Sequence, residues 1–429
     1  MVTTVPLHEA ASGDATDETG RTVSVNGRTY RLPRRPLVLI CFDGCDPAYL
    51  ETAVGTGLIP TIDRMGREGF AATALSAMPS FTNPNNLSVV CGAPPSVHGV
   101  AGNYYLDRET GETVMMTDTR SLKAPTVLAA LAREGVATAV VTAKDKLRQA
   151  LALDLDGISV SAECADKVDE ATNGIASVVD LLDAPLPDRY SPELSLYVLD
   201  LGLELLRRER ARLLYLSLSD YVQHRHAPGA PEADAFLAAV DRRLAAFLAA
   251  GADIAIIADH GMTDMAKADG TANVVFVADE IEARFGEGAA RVICPITDPF
   301  VRHHGALGGL VRVHVTAPEL NVAALGAFLA DIPGIERVLP REEAARVLET
   351  PWEAEADFVL TGEKGVALGS HEAEHDLTAL AGERLRSHGG FHEQRVPFLL
   401  SRPLRADYRE KTEPLRNFDV LDFALNGTE

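Results

Sequence analysis

Carboxylate and imidazole side chains stand directly after several strongly apolar segments of the chain. Asp220 and His224 are four residues apart, so a helical turn would place both side chains on one face. Asp259 and His260 follow the apolar run 253–258, and burying two ionisable groups there is costly unless a cation or another partner satisfies them. Such oxygen and nitrogen donors suit a zinc, manganese or iron ion. We therefore predict a metal site made by Asp43, Asp220, His224, Asp259, His260 and His388.

Each member of this set has a simpler interpretation when it is considered alone. A single Asp after a strand is often the N-cap of the next helix, and a single His is more often structural than a ligand. His226 and His392 are alternative ligands, which we rank below His224 and His388. The case for a metal site depends on the whole set, and most of all on the Asp-His pair.

Thr82 offers a hydroxyl group in a turn-rich segment, residues 79–86, at the predicted start of a helix. Threonine is a common helix N-cap, and that is the alternative interpretation. A helix start also presents free N–H groups to an anion. Coordination to a divalent cation can turn a threonine hydroxyl into a nucleophile at neutral pH. Because the predicted metal site supplies this activation, we predict that Thr82 is a catalytic nucleophile.

The apolar segments alternate with helical segments in a regular order. Runs of apolar and β-branched residues are typical of buried parallel strands, and the alanine- and leucine-rich stretches between them have helical spacing. We predict an α/β fold with a mostly parallel sheet flanked by helices, in which ligands bind at the carboxyl ends of the strands. The predicted strands are 36–42, 135–142, 212–218, 253–258 and 396–400, the helices are 126–134, 192–208 and 232–250, and a hairpin with Asn26-Gly27 at its turn covers 23–32.

A different pattern interrupts this order in the second half of the chain. A strand at 310–315, a helix at 319–332 and a strand at 335–339 predict a βαβ unit, and a short helix follows at 341–349. We predict a catalytic core of residues 1–267 and 381–429 and a smaller inserted α+β cap of residues 268–380. Several histidines of the cap are expected at the surface or around the site, where one of them could touch substrate: His303, His304, His314, His371 and His375.

Composition and charge exclude several classes of protein. The 429 residues carry 40 Lys and Arg against 62 Asp and Glu, a net charge of −22, which argues against a nucleic-acid binder. The first thirty residues show no signal peptide, and no apolar run approaches the length of a membrane span. The five cysteines are odd in number and mostly lie in apolar segments, which favours a reducing compartment. We predict a cytoplasmic protein without membrane or nucleic-acid partners. The sequence does not decide between a monomer and a homodimer.

The ordered series of these residues resembles the alkaline phosphatase superfamily. Its nucleotide pyrophosphatase/phosphodiesterase-like branch has a threonine nucleophile and a His-Gly-x-x-Gly-Asn motif, which corresponds here to residues 98–103. The resemblance implies two Zn²⁺, with Mn²⁺ or Fe²⁺ as substitutes, and a phosphothreonine intermediate. It also implies that Asn103 donates to a phosphoryl oxygen. One metal would be held by Asp220, His224 and His388, and the other by Asp43, Thr82, Asp259 and His260.

Other branches of the superfamily fit less well. The sulfatases mature a residue within a motif that ends in arginine, and the segment that begins at Cys45-Asp46-Pro47 has no such arginine. The independent mutases use serine and manganese, whereas position 82 is threonine. Both activities are therefore disfavoured.

Two lysines follow the strand at 135–142. The segment Thr142-Ala-Lys-Asp-Lys146 resembles the phosphonoacetate hydrolase family, in which paired lysines meet the carboxylate of the substrate. Cleavage of a carbon–phosphorus bond releases a carbanion that spreads its charge into that carboxylate, so cations there stabilise the transition state. Lysines after a strand are more often solvated loop residues. The resemblance implies hydrolysis of a small phosphonate, phosphonoacetate, to acetate and phosphate, with Lys144 and Lys146 binding substrate.

Two further classes of function stay open. A nucleotide pyrophosphatase/phosphodiesterase or a phosphonate monoester hydrolase could use the same site, and the first of these would stack a base on an aromatic residue. Tyr104, Tyr105 and Tyr221 are candidates for that contact. A non-catalytic protein with a structural metal is disfavoured, because structural zinc sites are usually closed and rich in cysteine.

Overall fold

The structure is a computed structural model that describes residues 20–116, 119–298, 304–380, 382–411 and 414–429. The strands within these ranges are β1 Thr22–Val25, β2 Arg28–Arg31, β3 Leu37–Cys41, β4 Phe70–Leu75, β5 Tyr104–Leu106, β6 Thr113–Met115, β7 Thr138–Thr142, β8 Ile158–Ser161, β9 Leu213–Ser217, β10 Asp253–Ile257, β11 Thr263–Asp264, β12 Val274–Phe276, β13 Ala290–Ile293, β14 Leu310–Val315, β15 Ile335–Pro340, β16 Phe358–Gly362, β17 Ala367–Gly369, β18 Arg386–Ser387 and β19 Arg395–Leu400.

The α-helices include three that are nine residues or longer between β3 and β5, and two long helices that flank the central strands. They are α1 Pro47–Gly55, α2 Pro60–Glu68, α3 Thr82–Cys91, α4 Pro95–His98, α5 Val127–Arg133, α6 Asp145–Leu151, α7 Glu170–Asn173, α8 Val178–Leu182, α9 Pro192–Arg207, α10 Tyr221–Arg225, α11 Pro231–Ala249, α12 Val277–Phe285, α13 Val322–Asp331, α14 Arg341–Leu348, α15 Ala406–Arg409 and α16 Val420–Asp422.

A seven-stranded sheet forms the centre of the protein, in the order β4-β19-β10-β3-β9-β7-β8. The five strands from β10 to β8 are parallel, whereas β19 is antiparallel to both of its neighbours. Every residue of β3, β7 and β9 is buried, as expected for parallel strands that are covered on both faces. The predicted mostly parallel α/β sheet is confirmed, and β4 and β8 are additional strands that we did not predict.

The predicted N-terminal hairpin is also present. β1 and β2 are antiparallel, and the two residues between them, Asn26 and Gly27, have φ angles of 50° and 80°. Positive φ at both central positions is the geometry of a type I′ turn, which Asn-Gly adopts readily.

A second, smaller sheet lies between residues 290 and 362. Its four strands are antiparallel neighbours in the order β13-β14-β16-β15. The predicted βαβ unit corresponds to β14, α13 and β15, but β16 is inserted between its two strands, so the unit is split. Two short strand pairs, β11 with β18 and β12 with β17, lie where the chain leaves the main sheet and returns to it. We keep the domain boundaries 268 and 380 as a proposal.

No helix in the described part of the chain is long and apolar enough to cross a bilayer. Its longest helix, α11, has nineteen residues, but Asp234, Asp241 and two arginines interrupt its apolar face.

The histidines of the cap region are mostly not at the surface. His304, His314 and His375 are buried, whereas His371 is partly exposed and pairs with Asp279. His303 lies outside the described residues. His304 lines the cavity at the strand ends, which is one of the two expected placements. A surface position is excluded for His314 and His375, because the strands and turns that enclose them pair with segments distant in sequence.

His314 predicts a measurable pH dependence of stability. Its ring nitrogens make no hydrogen bond among the described residues, and burial, with Arg108 and Arg312 nearby, lowers its pKa to about 4. The unfolded chain, with a histidine pKa near 6.5, takes up a proton first as the pH falls, so stability is lost below about pH 6.5. We expect His314→Leu to gain about 2 kcal/mol relative to the parent protein between pH 7 and pH 5 in denaturant titrations.

His371 supplies a control of opposite sign. Its hydrogen bond with Asp279 raises its pKa, so the pair stabilises the fold at low pH and loses that contribution as the pH rises. Relative to the parent protein, His371→Leu should therefore lose more unfolding free energy at pH 5 than at pH 7. Equal pH profiles for the parent protein and His314→Leu would contradict the assignment.

Candidate active site

Four neighbouring strands end side by side beneath the candidate site. Ile257 of β10, Cys41 of β3, Ser217 of β9 and Thr142 of β7 are register partners along the sheet. The chain leaves each strand at the same edge, so the polar residues that follow meet there. These residues are Asp259 and His260 after β10, Asp43 after β3, Asp220 after β9, and Lys144 after β7.

The predicted metal ligands form two overlapping groups. The donor atoms of Asp43, Asp259 and His260 all lie within 4.8 Å of one another, and so do those of Asp220, His260 and His388. His260 belongs to both groups. Its Nε2 is 3.3 Å from Asp43 Oδ1 and 3.8 Å from Asp259 Oδ2.

His224 completes the second group from one side. It lies four residues after Asp220, on α10, and its Nε2 is 2.9 Å from Asp220 Oδ2. His224 and His388 have their ring centroids 5.6 Å apart. The structure therefore brings all six predicted carboxylate and imidazole ligands together.

The three histidines present the same nitrogen to the centre of the site. Each Nδ1 lies 2.7–2.9 Å from a backbone carbonyl oxygen: His224 faces Arg386, His260 faces Gly261 and His388 faces Ser80. A carbonyl oxygen can only accept, so each Nδ1 carries the proton and donates it. Each Nε2 then carries a lone pair that faces the site, where His224 Nε2 lies 2.9 Å from Asp220 Oδ2. This is the protonation state of metal-binding histidines.

The carboxylates of the site are crowded and buried. Burial, followed by the charges of Asp220 and Asp259, raises the pKa of Asp43 well above its usual value. Burial also raises the pKa of Asp259 to about 7. Asp43 Oδ1 makes no hydrogen bond with any described residue. Three adjacent buried carboxylates favour a bound cation, and together with the three Nε2 atoms they fit divalent metal ions.

A hydrogen-bonded network fixes Asp259. Its Oδ1 accepts from the backbone N–H groups of Gly44 and His260, and its Oδ2 accepts from Asn86 Nδ2 at 3.0 Å. Asn86 in turn accepts from the hydroxyl of Tyr215 at 2.7 Å. Such contacts orient a ligand before the metal arrives.

Thr82 is the first residue of α3 and not its N-cap. The N-cap is Phe81, which makes no side-chain capping bond. The Thr82 hydroxyl instead lies 3.2 Å from His260 Nε2, at the edge of the metal-ligand groups. The alternative interpretation of Thr82 as a helix cap is therefore wrong, and its oxygen faces the site.

The two lysines and Asn103 line the same cavity as Thr82, a space of about 330 Å³. Lys144 Nζ is 3.2 Å from Asp220 Oδ1, and Lys146 Nζ is 2.9 Å from Asp298 Oδ2. Burial disfavours the Lys144 ammonium, but the Asp220 and Asp43 charges outweigh this, so its pKa lies above the usual value. The cavity therefore carries negative charge where the candidate metal ligands lie, and the ammonium groups of Lys144 and Lys146 lie next to that charge.

Asp298 of this cavity was missed from the sequence, whereas His304 was named only as one of several histidines that could touch substrate. His304 is buried against His224, with 5.6 Å between ring centroids, and burial lowers its pKa to about 3. Asp298 pairs with Lys146. Neither residue follows a strand of the main sheet, so no sequence signal of the kind used above marks them.

The aromatic residues of the cavity are only partly those expected. Tyr221 and Tyr190 line it, whereas Tyr104 and Tyr105 lie on β5 and do not. The alternative ligands His226 and His392 pair instead with Glu232 and Glu336.

The fold and this site define an alkaline phosphatase-like hydrolase. The model of the family described as type I phosphodiesterase / nucleotide pyrophosphatase matches residues 37–322. Phosphonoacetate hydrolase from Sinorhizobium meliloti 1021, solved in complexes with phosphonoformate and with phosphonoacetate, is 45% identical with a TM-score of 0.89, and the match covers 94% of this chain and 98% of that one. The chain belongs to the type I phosphodiesterase/nucleotide pyrophosphatase family of metal-dependent hydrolases and groups with its phosphonoacetate hydrolases.

Two further relatives agree with this placement. A phosphonoacetate hydrolase of Penicillium oxalicum is 48% identical over 52 residues, which are 12% of this chain and 72% of that sequence. Murine ectonucleotide pyrophosphatase/phosphodiesterase 5 has a TM-score of 0.61 at 14% identity, and the match covers 91% of this chain and 94% of that one, so it shows the shared fold alone.

Proposed function

We propose that the protein hydrolyses the carbon–phosphorus bond of phosphonoacetate to give acetate and phosphate. The observation that carries this proposal is that Lys144 and Lys146 line one cavity with Thr82 and with three of the candidate metal ligands, Asp43, Asp220 and His388. The 45% identity with a phosphonoacetate hydrolase that was solved with phosphonoacetate supports the same substrate. We also propose that the protein acts in the cytoplasm.

The donor set fits two Zn²⁺, with Mn²⁺ or Fe²⁺ as substitutes. Asp220, His224 and His388 would hold one ion, and Asp43, Thr82, Asp259 and His260 the other. When bound, the ions would make the Thr82 hydroxyl more acidic and draw charge from the phosphoryl oxygens.

In the proposed reaction, Thr82 Oγ1 attacks phosphorus in line with the carbon–phosphorus bond. The oxygen–phosphorus bond forms, the phosphorus–carbon bond breaks, and the electron pair passes to carbon. The Thr82 hydroxyl gives up one proton and the carbon takes up one proton to become acetate, so the step is neutral in protons. Water then hydrolyses the phosphothreonine to phosphate and restores Thr82. Asn103 would donate from its amide to a phosphoryl oxygen during both steps.

The leaving group explains the need for two lysines. A carbanion next to a carboxylate delocalises its charge onto the carboxylate oxygens, where ammonium groups stabilise it more in the transition state than in the ground state. Lys144 and Lys146 are held near the cavity by Asp220 and Asp298, and the substrate carboxylate would share their protons. A phosphoester expels an oxygen instead and does not need this pair.

Replacing both lysines should therefore change the choice of substrate. We expect the double variant Lys144→Ala with Lys146→Ala to lower kcat/KM for phosphonoacetate by about 10³-fold. This factor corresponds to the loss of two charge-assisted contacts of roughly 2 kcal/mol each. The loss for an activated aryl phosphonate monoester should be tenfold or less, because its leaving group carries no carboxylate. Steady-state kinetics on the two substrates measures the ratio.

The matched control is Lys167→Ala, which removes an exposed lysine outside the cavity and should leave both rates unchanged. Equal losses on both substrates in the double variant would remove the carboxylate-binding role. Faster turnover of a nucleotide diester than of phosphonoacetate by the parent protein would favour the phosphodiesterase alternative, for which Tyr190 and Tyr221 line the cavity.

A further inference from the structure

The segment that carries Asn103 is held in place by the smaller sheet. Asn103 N donates to Pro295 O at 2.8 Å, and Asn103 Nδ2 lies 3.4 Å from Ile296 O. A Cβ atom at Gly102 would lie 2.9 Å from Pro295 Cβ, so only glycine permits this close approach. Pro295 and Ile296 follow β13 after a single residue, Cys294, so the segment that leaves this strand forms one wall of the Asn103 segment.

A buried arginine of the neighbouring strand reaches the same segment. Arg312 on β14 is the register partner of Ile293 on β13, and its Nη1 donates to Ala101 O at 3.1 Å. Its side chain is 2% exposed. Ala101 is two residues before Asn103, so this hydrogen bond acts on the backbone that sets the direction of the Asn103 side chain.

Glu355 fixes the guanidinium group of Arg312. Nε and Nη2 of Arg312 donate to the two carboxylate oxygens at 3.0 and 2.7 Å, and Thr350 Oγ1 donates to Oε1 at 2.6 Å. The Glu355 carboxylate is fully buried. A bidentate pair holds the guanidinium plane rigidly and leaves Nη1 for Ala101.

We propose that Arg312 is a positioning residue for catalysis: it holds the Ala101 carbonyl so that the Asn103 amide meets the phosphoryl group, and Glu355 holds Arg312. The inference rests on the proposed function for the role of Asn103 and extends it to residues that do not touch substrate. Through these contacts the smaller sheet sets the geometry of Asn103, a residue of the cavity.

Lysine at position 312 separates the two contacts. Its single ammonium group can stay with Glu355, but it cannot bind both carboxylate oxygens and also reach Ala101 O. We expect Arg312→Lys to lower kcat for phosphonoacetate by about 10- to 100-fold, with a smaller change in KM, as small misplacements of a catalytic contact do. In the Asn103→Ala background the same substitution should cost less than about twofold.

The double-mutant comparison distinguishes positioning from general damage to the fold. Equal losses from Arg312→Lys in the parent and Asn103→Ala backgrounds, or an unchanged kcat, would overturn the proposal. The matched control is Arg243→Lys. It disturbs another bidentate pair, that of Arg243 with Asp200, which lies outside the cavity. This variant should leave kcat unchanged. If Arg312→Lys does not fold, Arg312→Met with Glu355→Met removes both charges together and should show the same loss of kcat.

Two further measurements keep this inference separate from the choice of substrate. The same comparison run on an aryl phosphonate monoester tests Arg312 even if the protein releases no acetate from phosphonoacetate, a result that would overturn only the proposed function. Amide hydrogen exchange of the peptide spanning residues 100–106 should become faster in Arg312→Lys and not in Arg243→Lys. Unchanged exchange in that peptide would contradict the positioning role.

Discussion

Replacing Thr82 by alanine should lower kcat by about 10⁴-fold or more while the metal content per chain stays the same. The proposed covalent route loses its nucleophile, whereas Asp43, Asp259 and His260 would still hold the adjacent ion. The helix should keep its stability, because Phe81 and not Thr82 occupies the N-cap position. Steady-state kinetics, elemental analysis of the metal and thermal unfolding measure the three quantities.

Thr82→Ser is the matched control for this prediction. Serine keeps a hydroxyl group at the attacking position, so this variant should retain far more activity than Thr82→Ala. Rapid acid quenching of the parent protein during turnover should trap phosphate on the peptide that contains Thr82, and Thr82→Ala should trap none. A Thr82→Ala rate equal to that of the parent protein would exclude Thr82 as the nucleophile.

Removal of the metal ions should abolish turnover and lower the thermal stability of the protein. Asp43, Asp220 and Asp259 are buried beside one another, and without metal ions Lys144 compensates only part of their mutual repulsion. Readdition of Zn²⁺ should restore the rate. A free Zn²⁺ concentration a thousandfold above Kd should stabilise the fold by about 4 kcal/mol.

The matched variant for metal removal is Asp43→Asn, which keeps the size of the side chain and removes one of the three charges. It should bind less metal than the parent protein, and its metal-free form should unfold at a higher temperature than the metal-free parent. Full activity after verified loss of all metal would contradict the site. Restored stability without any restored rate would favour a purely structural metal.

The sequence predicted the candidate ligands because they follow apolar strands at one edge of a parallel sheet. Burial on both faces makes such strands continuous apolar runs, and the end of each run is visible without any knowledge of its neighbours. Asp43, Asp220 and Asp259 were found in this way. The register that aligns Cys41 with Ser217 and Ile257 explains why residues distant in sequence meet.

Contacts between distant segments were not predictable in the same way. Arg312 and Ala101 are 211 residues apart, and Lys146 and Asp298 are 152 apart, so no local pattern joins them. The insertion of β16 between β14 and β15 also depends on which strands pair with each other. The apolar periodicity within a single strand does not reveal this pairing. At Thr82 the helix began where expected, but local propensity could not decide which residue caps it.

The products released from phosphonoacetate distinguish cleavage of a carbon–phosphorus bond from hydrolysis of a phosphodiester. Zinc-loaded protein is incubated with phosphonoacetate, and inorganic phosphate and acetate are measured in the same sample, beside a nucleotide diester and a chelated control. The proposed function predicts equal amounts of phosphate and acetate, both lost on chelation. Turnover of the diester with no acetate from phosphonoacetate would contradict it and assign the site to phosphodiester substrates.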